Sequence, residues 1–117
     1  MTQVTIYHNP RCSKSRSTMQ ILQDQAVEIT EVLYLETPPT KEKLAQLCQM
    51  MDTKPLEIIR TGESVFKELG LSKSDSRSDD EWLDLMVNNP ILIERPIVEV
   101  GNKAVIGRPP ENVLSII

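Results

Sequence analysis

Residues 4–16 read Val4-Thr5-Ile6-Tyr7-His8-Asn9-Pro10-Arg11-Cys12-Ser13-Lys14-Ser15-Arg16. The first four, β-branched or aromatic, predict a strand. A helical pattern begins near Cys12 or Ser13 and runs to about Gln25, with Met19, Leu22 and Ala26 at the spacing of one face. Cys12 therefore stands where a loop turns into a helix. Free backbone N–H groups and the positive end of the helix dipole favour an anion at such a place. Arg11, Lys14 and Arg16 add positive charge close by in the chain, and His8 lies one loop away. A thiol so placed ionises more easily than a free one, and the thiolate is the nucleophilic form.

Outward from this stretch, residues 28–34 predict a second strand, so strand, helix and strand form a right-handed βαβ unit with parallel strands. Pro38-Pro39 interrupts the pattern. Thr40 can cap a helix whose stripe is Leu44, Leu47, Cys48 and Met51. Residues 54–69 hold two shorter helical pieces, separated near Thr61-Gly62. Ser78-Asp79-Asp80-Glu81 is a capping box with acids in the first turn; Trp82, Leu85 and Met86 follow on one face, and Asn88-Asn89-Pro90 stops the helix. Ile97–Val100 and Lys103–Ile106 flank Gly101-Asn102, a two-residue hairpin signal. A last short helix carries Val113, Leu114 and Ile117 as its apolar positions. The order β-α-β, helices, β-β-α predicts an α/β protein: a small mixed sheet flanked by helices, thioredoxin-like, with a helical insertion at about 40–89. No linker or repeat divides it, so residues 1–117 are expected to form a single domain.

Composition narrows the function classes. The chain has 117 residues, 39% of them hydrophobic, and a net charge of -4. No apolar run approaches the ~20 residues of a membrane span, and MTQVTIYHNP lacks the basic start and apolar centre of a secretory signal. Cys12 and Cys48 do not make a disulfide framework, which points to a reducing, cytoplasmic setting. The negative charge argues against general nucleic-acid binding, so an anion site has to be local. One histidine and two cysteines in no ligand-like spacing make zinc unexpected.

Ser15 occupies the position where a CxxC motif would carry its second cysteine, which rules out a thioredoxin-type internal disulfide. An oxidised Cys12 would have to be reduced by an external thiol through a mixed disulfide. Ser15 itself helps to hold the thiolate or the helix start, or is a plain first-turn residue. His8 either favours the thiolate by charge or hydrogen bonding, or simply packs the loop. Cys48, on the apolar stripe of its helix, reads as a small buried hydrophobe. Arg60, Arg95 and Arg108 are each ordinary surface charges when taken singly. If the C-terminal hairpin lies beside the Cys12 loop, Arg95 and Arg108 come near the thiol, and guanidinium forks suit a tetrahedral oxyanion. The Arg95-Pro96 bond is expected to be cis.

These residues carry a resemblance over essentially the whole chain. Ile6-Tyr7-His8-Asn9-Pro10 with Cys12 and Ser15-Arg16, Tyr34-Leu35-Glu36-Thr37-Pro38-Pro39, Ile58-Ile59-Arg60, residues 89–98 and Gly107-Arg108-Pro109 resemble the glutaredoxin-coupled arsenate reductase (ArsC-like) family, and within it a shorter, chromosomal-type branch. The resemblance implies a thioredoxin-like fold and an oxidoreductase without a bound cofactor. It implies Cys12 as nucleophile, His8 as its supporting histidine, Ser15 as the serine three residues on, and Arg60, Arg95 and Arg108 as oxyanion-binding arginines. It further implies arsenate as substrate, glutathione as co-substrate and glutaredoxin as the partner that resolves a cysteine–glutathione mixed disulfide. Ser13 and Lys14 depart from the small, uncharged residues of the resistance enzymes.

Two other readings stay open at this point. Spx-type regulators share this fold and bind RNA polymerase, but use a CxxC switch that Ser15 removes here. A glutathione-linked thiol oxidoreductase would use the same thiol on another substrate.

Overall fold

The computed structural model describes residues 2–117. Two compact units make up the chain: one comprises the chain up to Thr37 together with Arg95–Ile117, the other Pro38–Glu94.

The first unit is built on β1 (Thr2–Tyr7), α1 (Ser13–Gln23), β2 (Val27–Val32), β3 (Ile97–Val100) and β4 (Lys103–Ile106), and ends in a 3-10 helix, Pro110–Ser115. The sheet order is β2-β1-β3-β4. β1 and β2 run parallel, with Val4 opposite Ile29; β3 runs antiparallel to β1, with Ile6 opposite Val98, and β3 and β4 form the expected hairpin. Alternation along β1 sends Val4 and Ile6 to one face, where they pack with Leu22 of α1, Val98 of β3 and Val113. Burying each such side chain stabilises the fold by roughly 1.5–3 kcal/mol. Tyr7 points to the other face, where its hydroxyl donates to Glu99 Oε1 at 3.1 Å. This is the thioredoxin-like α/β arrangement expected from the element order.

Three local expectations are corrected. β2 ends at Val32, not at Tyr34, because the backbone turns there: the amides of Glu36 and Thr37 both donate to the carbonyl of Leu33. The inward face of α1 carries Ser15, Thr18 and Leu22, with Met19 half-buried, while Ala26 lies beyond the helix end and is exposed. The last helix is 3-10, with three residues per turn, so Pro110, Val113 and Ile116 line up on one side. Val113 is buried and Ile116 half-buried, whereas Leu114 and Ile117 are exposed.

The second unit is helical, as predicted. α2 (Lys41–Met50) starts at Thr40, whose hydroxyl accepts from the Lys43 amide at 3.1 Å. A 3-10 turn (Pro55–Ile58), α3 (Ser64–Glu68) and α4 (Asp79–Asn88) follow, and the capping box at Ser78 and Glu81 is formed. Leu44, Leu47, Cys48, Ile58, Phe66, Trp82, Met86 and Leu92 are buried. Two extended segments close the unit: the Arg60 amide donates to Leu92 O and the Glu94 amide to Ile58 O, each at 2.8 Å.

Candidate active site

β1 hands the chain to the Cys12 loop without losing its hydrogen bonds. The His8 amide continues the ladder by donating to Val32 O at 2.8 Å. Asn9 then ties the loop: its Oδ1 accepts from the Arg11 amide at 3.0 Å, and its carbonyl accepts from the Cys12 amide at 3.0 Å. The Asn9 amide donates to Ser15 Oγ at 3.0 Å, and Ser15 Oγ shares a 2.6 Å hydrogen bond with His8 Nδ1. His8, Asn9 and Ser15 are all buried. Burial holds His8 below the usual imidazole value, and Arg16 adds to this against the opposing charge of Glu31. A neutral ring has one N–H. A carboxylate oxygen of Glu31 stands 3.9 Å from Nε2, which favours the tautomer protonated on that nitrogen. Ser15 then donates its hydroxyl to Nδ1 while accepting from the Asn9 amide, so its oxygen serves as donor and acceptor at once.

Cys12 is the N-cap of α1, extended and half-buried. Burial alone would raise its thiol, but the amides of Ser15 and Lys14 and the guanidinium of Arg95 outweigh it and hold the thiol below its ordinary value. Arg108 also reaches the thiol, with Nη2 3.7 Å from Cys12 Sγ, and its Nε donates to Arg95 O at 2.9 Å. One arginine is thus oriented by the backbone of the other. Both precede prolines in cis linkage: Arg95-Pro96, as expected, and also Arg108-Pro109.

Gly107 sets the approach of this segment. A Cβ there would lie 2.6 Å from Thr18 Oγ1 and 2.9 Å from Pro96 Cγ, so only glycine lets the chain pass so close to α1. Thr18 donates its hydroxyl to Lys14 O at 2.8 Å and also faces Gly107 O at 3.4 Å.

The first unit therefore brings together Cys12, His8, Ser15, Arg95 and Arg108. Arg60 belongs to the second unit, where it pairs with Glu63 (3.1 Å) and Glu94 (3.9 Å). The basic side chains flanking Cys12 in sequence are exposed; Arg16 turns back to donate to Pro10 O at 3.0 Å. The thiol is held low by backbone amides and by the distant Arg95 rather than by those neighbours. Asn9, Thr18 and Gly107 were missed in the sequence; for Asn9 the Asn-Pro turn signal could have found it. Cys48 is buried in the second unit, and burial raises its thiol. Among the described residues no cluster of three or more His, Cys, Asp or Glu could hold a metal ion, and no helix is long and apolar enough to cross a membrane. Chemically, the site offers a thiol that ionises more readily than a free one, backbone N–H donors at a helix start and two guanidinium groups, a set suited to attack on a bound oxyanion.

The chain is similar to known proteins over nearly its whole length. An Escherichia coli (strain K12) protein named uncharacterized protein YfgD is 49% identical over 116 residues, covering 98% of this chain and 97% of that protein. An Escherichia coli protein named arsenate reductase is 40% identical, covering 100% of this chain and 82% of its own length. Among solved structures, an arsenate reductase from Vibrio cholerae superposes with a TM-score of 0.93 at 43% identity, covering 99% of this chain and 98% of that one. With residues 7–116 also matched by the family model, the chain belongs to the ArsC family.

Proposed function

We propose that this protein is an arsenate reductase of the reducing cytoplasm, acting through Cys12 with glutathione as co-substrate and glutaredoxin as partner. The observation that carries the reading is the meeting of a low-lying thiol with two arginines, Arg108 Nη2 standing 3.7 Å from Cys12 Sγ. That arrangement supports binding of a tetrahedral oxyanion against the nucleophile. In the proposed sequence the Cys12 thiolate attacks arsenic(V) of dihydrogen arsenate; an S–As bond forms and one oxygen leaves as water after taking up a proton. A glutathione thiolate then attacks Cys12 Sγ. The S–As electron pair passes to arsenic, which becomes arsenic(III) and, with two protons, leaves as arsenous acid, while Cys12 and glutathione remain joined as a disulfide. A glutaredoxin thiol attacks that disulfide and frees Cys12. No internal cysteine is needed, in keeping with Ser15 at the CxxC position. His8 and Ser15 act by fixing the helix start that supplies the amides.

A coupled assay with purified protein, arsenate, glutathione and glutaredoxin tests this. Turnover is expected, and Cys12→Ser is expected to abolish it; absence of turnover in the wild-type protein overturns the reading. Arg95→Ala and Arg108→Ala should each raise the KM for arsenate about tenfold or more, the loss of one charge-assisted contact worth roughly 1.5–3 kcal/mol. The family resemblance gives Arg60 the same task, and Arg60→Ala tests it separately.

A further inference from the structure

Beside the Cys12 loop lies a groove of about 320 Å³ that the chemistry above leaves unused. One wall is the segment ending in Pro10 and Arg11, directly before the nucleophile; the other is the turn after β2, with Leu33, Leu35 and Glu36. Its volume falls at the small end of ligand sites, roughly 300–1,000 Å³. Pro10, Leu33 and Leu35 make the lining largely apolar, and Leu35 is 40% exposed. The charges here are informative. Among the described residues neither the Arg11 guanidinium nor the Glu36 carboxylate makes a hydrogen bond or ion pair; only their backbones do. A simple oxyanion would call for the arginine but not for the glutamate. A ligand with a carboxylate and an ammonium calls for both.

We propose that this groove is the seat of the thiol co-substrate. It takes a zwitterionic, tripeptide-sized thiol of the glutathione class, with a carboxylate on Arg11, the ammonium on Glu36 and the apolar stem against Leu33 and Leu35. Arg11 is bonded to Cys12 in the chain, and consecutive Cα atoms are about 3.8 Å apart. A thiol in the middle of such a ligand is therefore delivered to the nucleophile's own loop. The proposal rests on the reading of the protein as a glutathione-dependent reductase, but its test does not require arsenate.

S-methylglutathione, which has no free thiol, is titrated into the full-length protein and followed by amide NMR. Saturable shifts are expected at Arg11, Leu35 and Glu36, with Kd weakened about fivefold by Arg11→Glu or Glu36→Lys, in line with exposed charge contacts. Glu36→Gln should give an intermediate loss. In the coupled assay Glu36→Gln should raise the KM for glutathione and leave the KM for arsenate and the rate of Cys12 alkylation unchanged; that unchanged rate also shows that the site remains folded. Shifts elsewhere, no binding, or unaltered affinity in both charge variants overturn the proposal. A change in the KM for glutaredoxin alone also overturns it, by marking the groove as a protein-docking face. If the wild-type protein turns over no arsenate yet binds S-methylglutathione in the groove, the functional reading fails and this inference stands.

Discussion

At the scale of single residues, the two cysteines give opposed expectations. Cys12 is held low and Cys48 is raised by burial, so iodoacetamide near neutral pH should modify Cys12 much faster. The pH midpoint of that reaction should lie below the ordinary thiol value, and Arg95→Ala should move it upward because a cation and a hydrogen bond to the thiolate are lost. Equal rates for Cys12 and Cys48 would refute the assignment. Ser15 carries a stability effect as well. Ser15→Ala would leave the Asn9 amide and His8 Nδ1 buried without their partner, a loss of about 1–3 kcal/mol measurable by urea unfolding. His8 adds a pH signature. Its folded value lies below the unfolded 6.5, so below that pH the unfolded chain binds a proton that the native state resists. Stability therefore falls as pH drops below 6.5, and His8→Gln should flatten that limb. The importance of Cys12 was legible in the sequence because a strand, a loop and a helix start around it are local features. The helix-start amides that lower its thiol were legible for the same reason, whereas Arg95 could be brought there only on the condition that the hairpin lies beside the loop, since it arrives from the far end of the chain.

At the scale of elements, what was legible follows the same division. The β3–β4 hairpin could be read from Gly101-Asn102, and α4 from the Ser78–Glu81 box, because turns and caps are built by adjacent residues. The inward face of α1 could not, since apolar periodicity passes over Ser15 and Thr18, whose burial depends on partners elsewhere. The C-terminal helix was misread through its period: at three residues per turn Ile116, not Ile117, aligns with Val113. Gly107 is the same kind of case, with a role that exists only against Thr18 and Pro96. Gly107→Ala should push the Arg108 segment off α1 and cost about 1–3 kcal/mol, as overpacking does. Because Arg108 moves while Arg95 and the α1 amides stay, oxyanion affinity should drop and Cys12 alkylation should change little. A variant that loses both together would show that Arg108 does not act as a separate arm.

At the scale of the whole molecule, connectivity rather than composition sets the main constraint. β1 pairs with β2 directly, but with β3 only after the chain has run through all of Pro38–Glu94. As a disordered loop, that insertion would oppose closure of the sheet by on the order of 3 kcal/mol of chain entropy. Folded around Leu47, Trp82 and Met86, it no longer imposes that cost. The stability of the site-bearing unit therefore depends on the helical unit through the chain itself, without any appeal to packing between them. Leu47 is fully buried in the helical unit, and Leu47→Ala should destabilise that unit by about 2–5 kcal/mol. Trp82, the protein's single tryptophan and 2% exposed, reports on the helical unit by fluorescence; the alkylation rate of Cys12 reports on the sheet unit. In urea both signals should move to a lower midpoint together in Leu47→Ala. A Cys12 midpoint that stays at the wild-type value while the Trp82 midpoint falls would show that the sheet closes independently of what the insertion does, and the entropic account of this fold would fail.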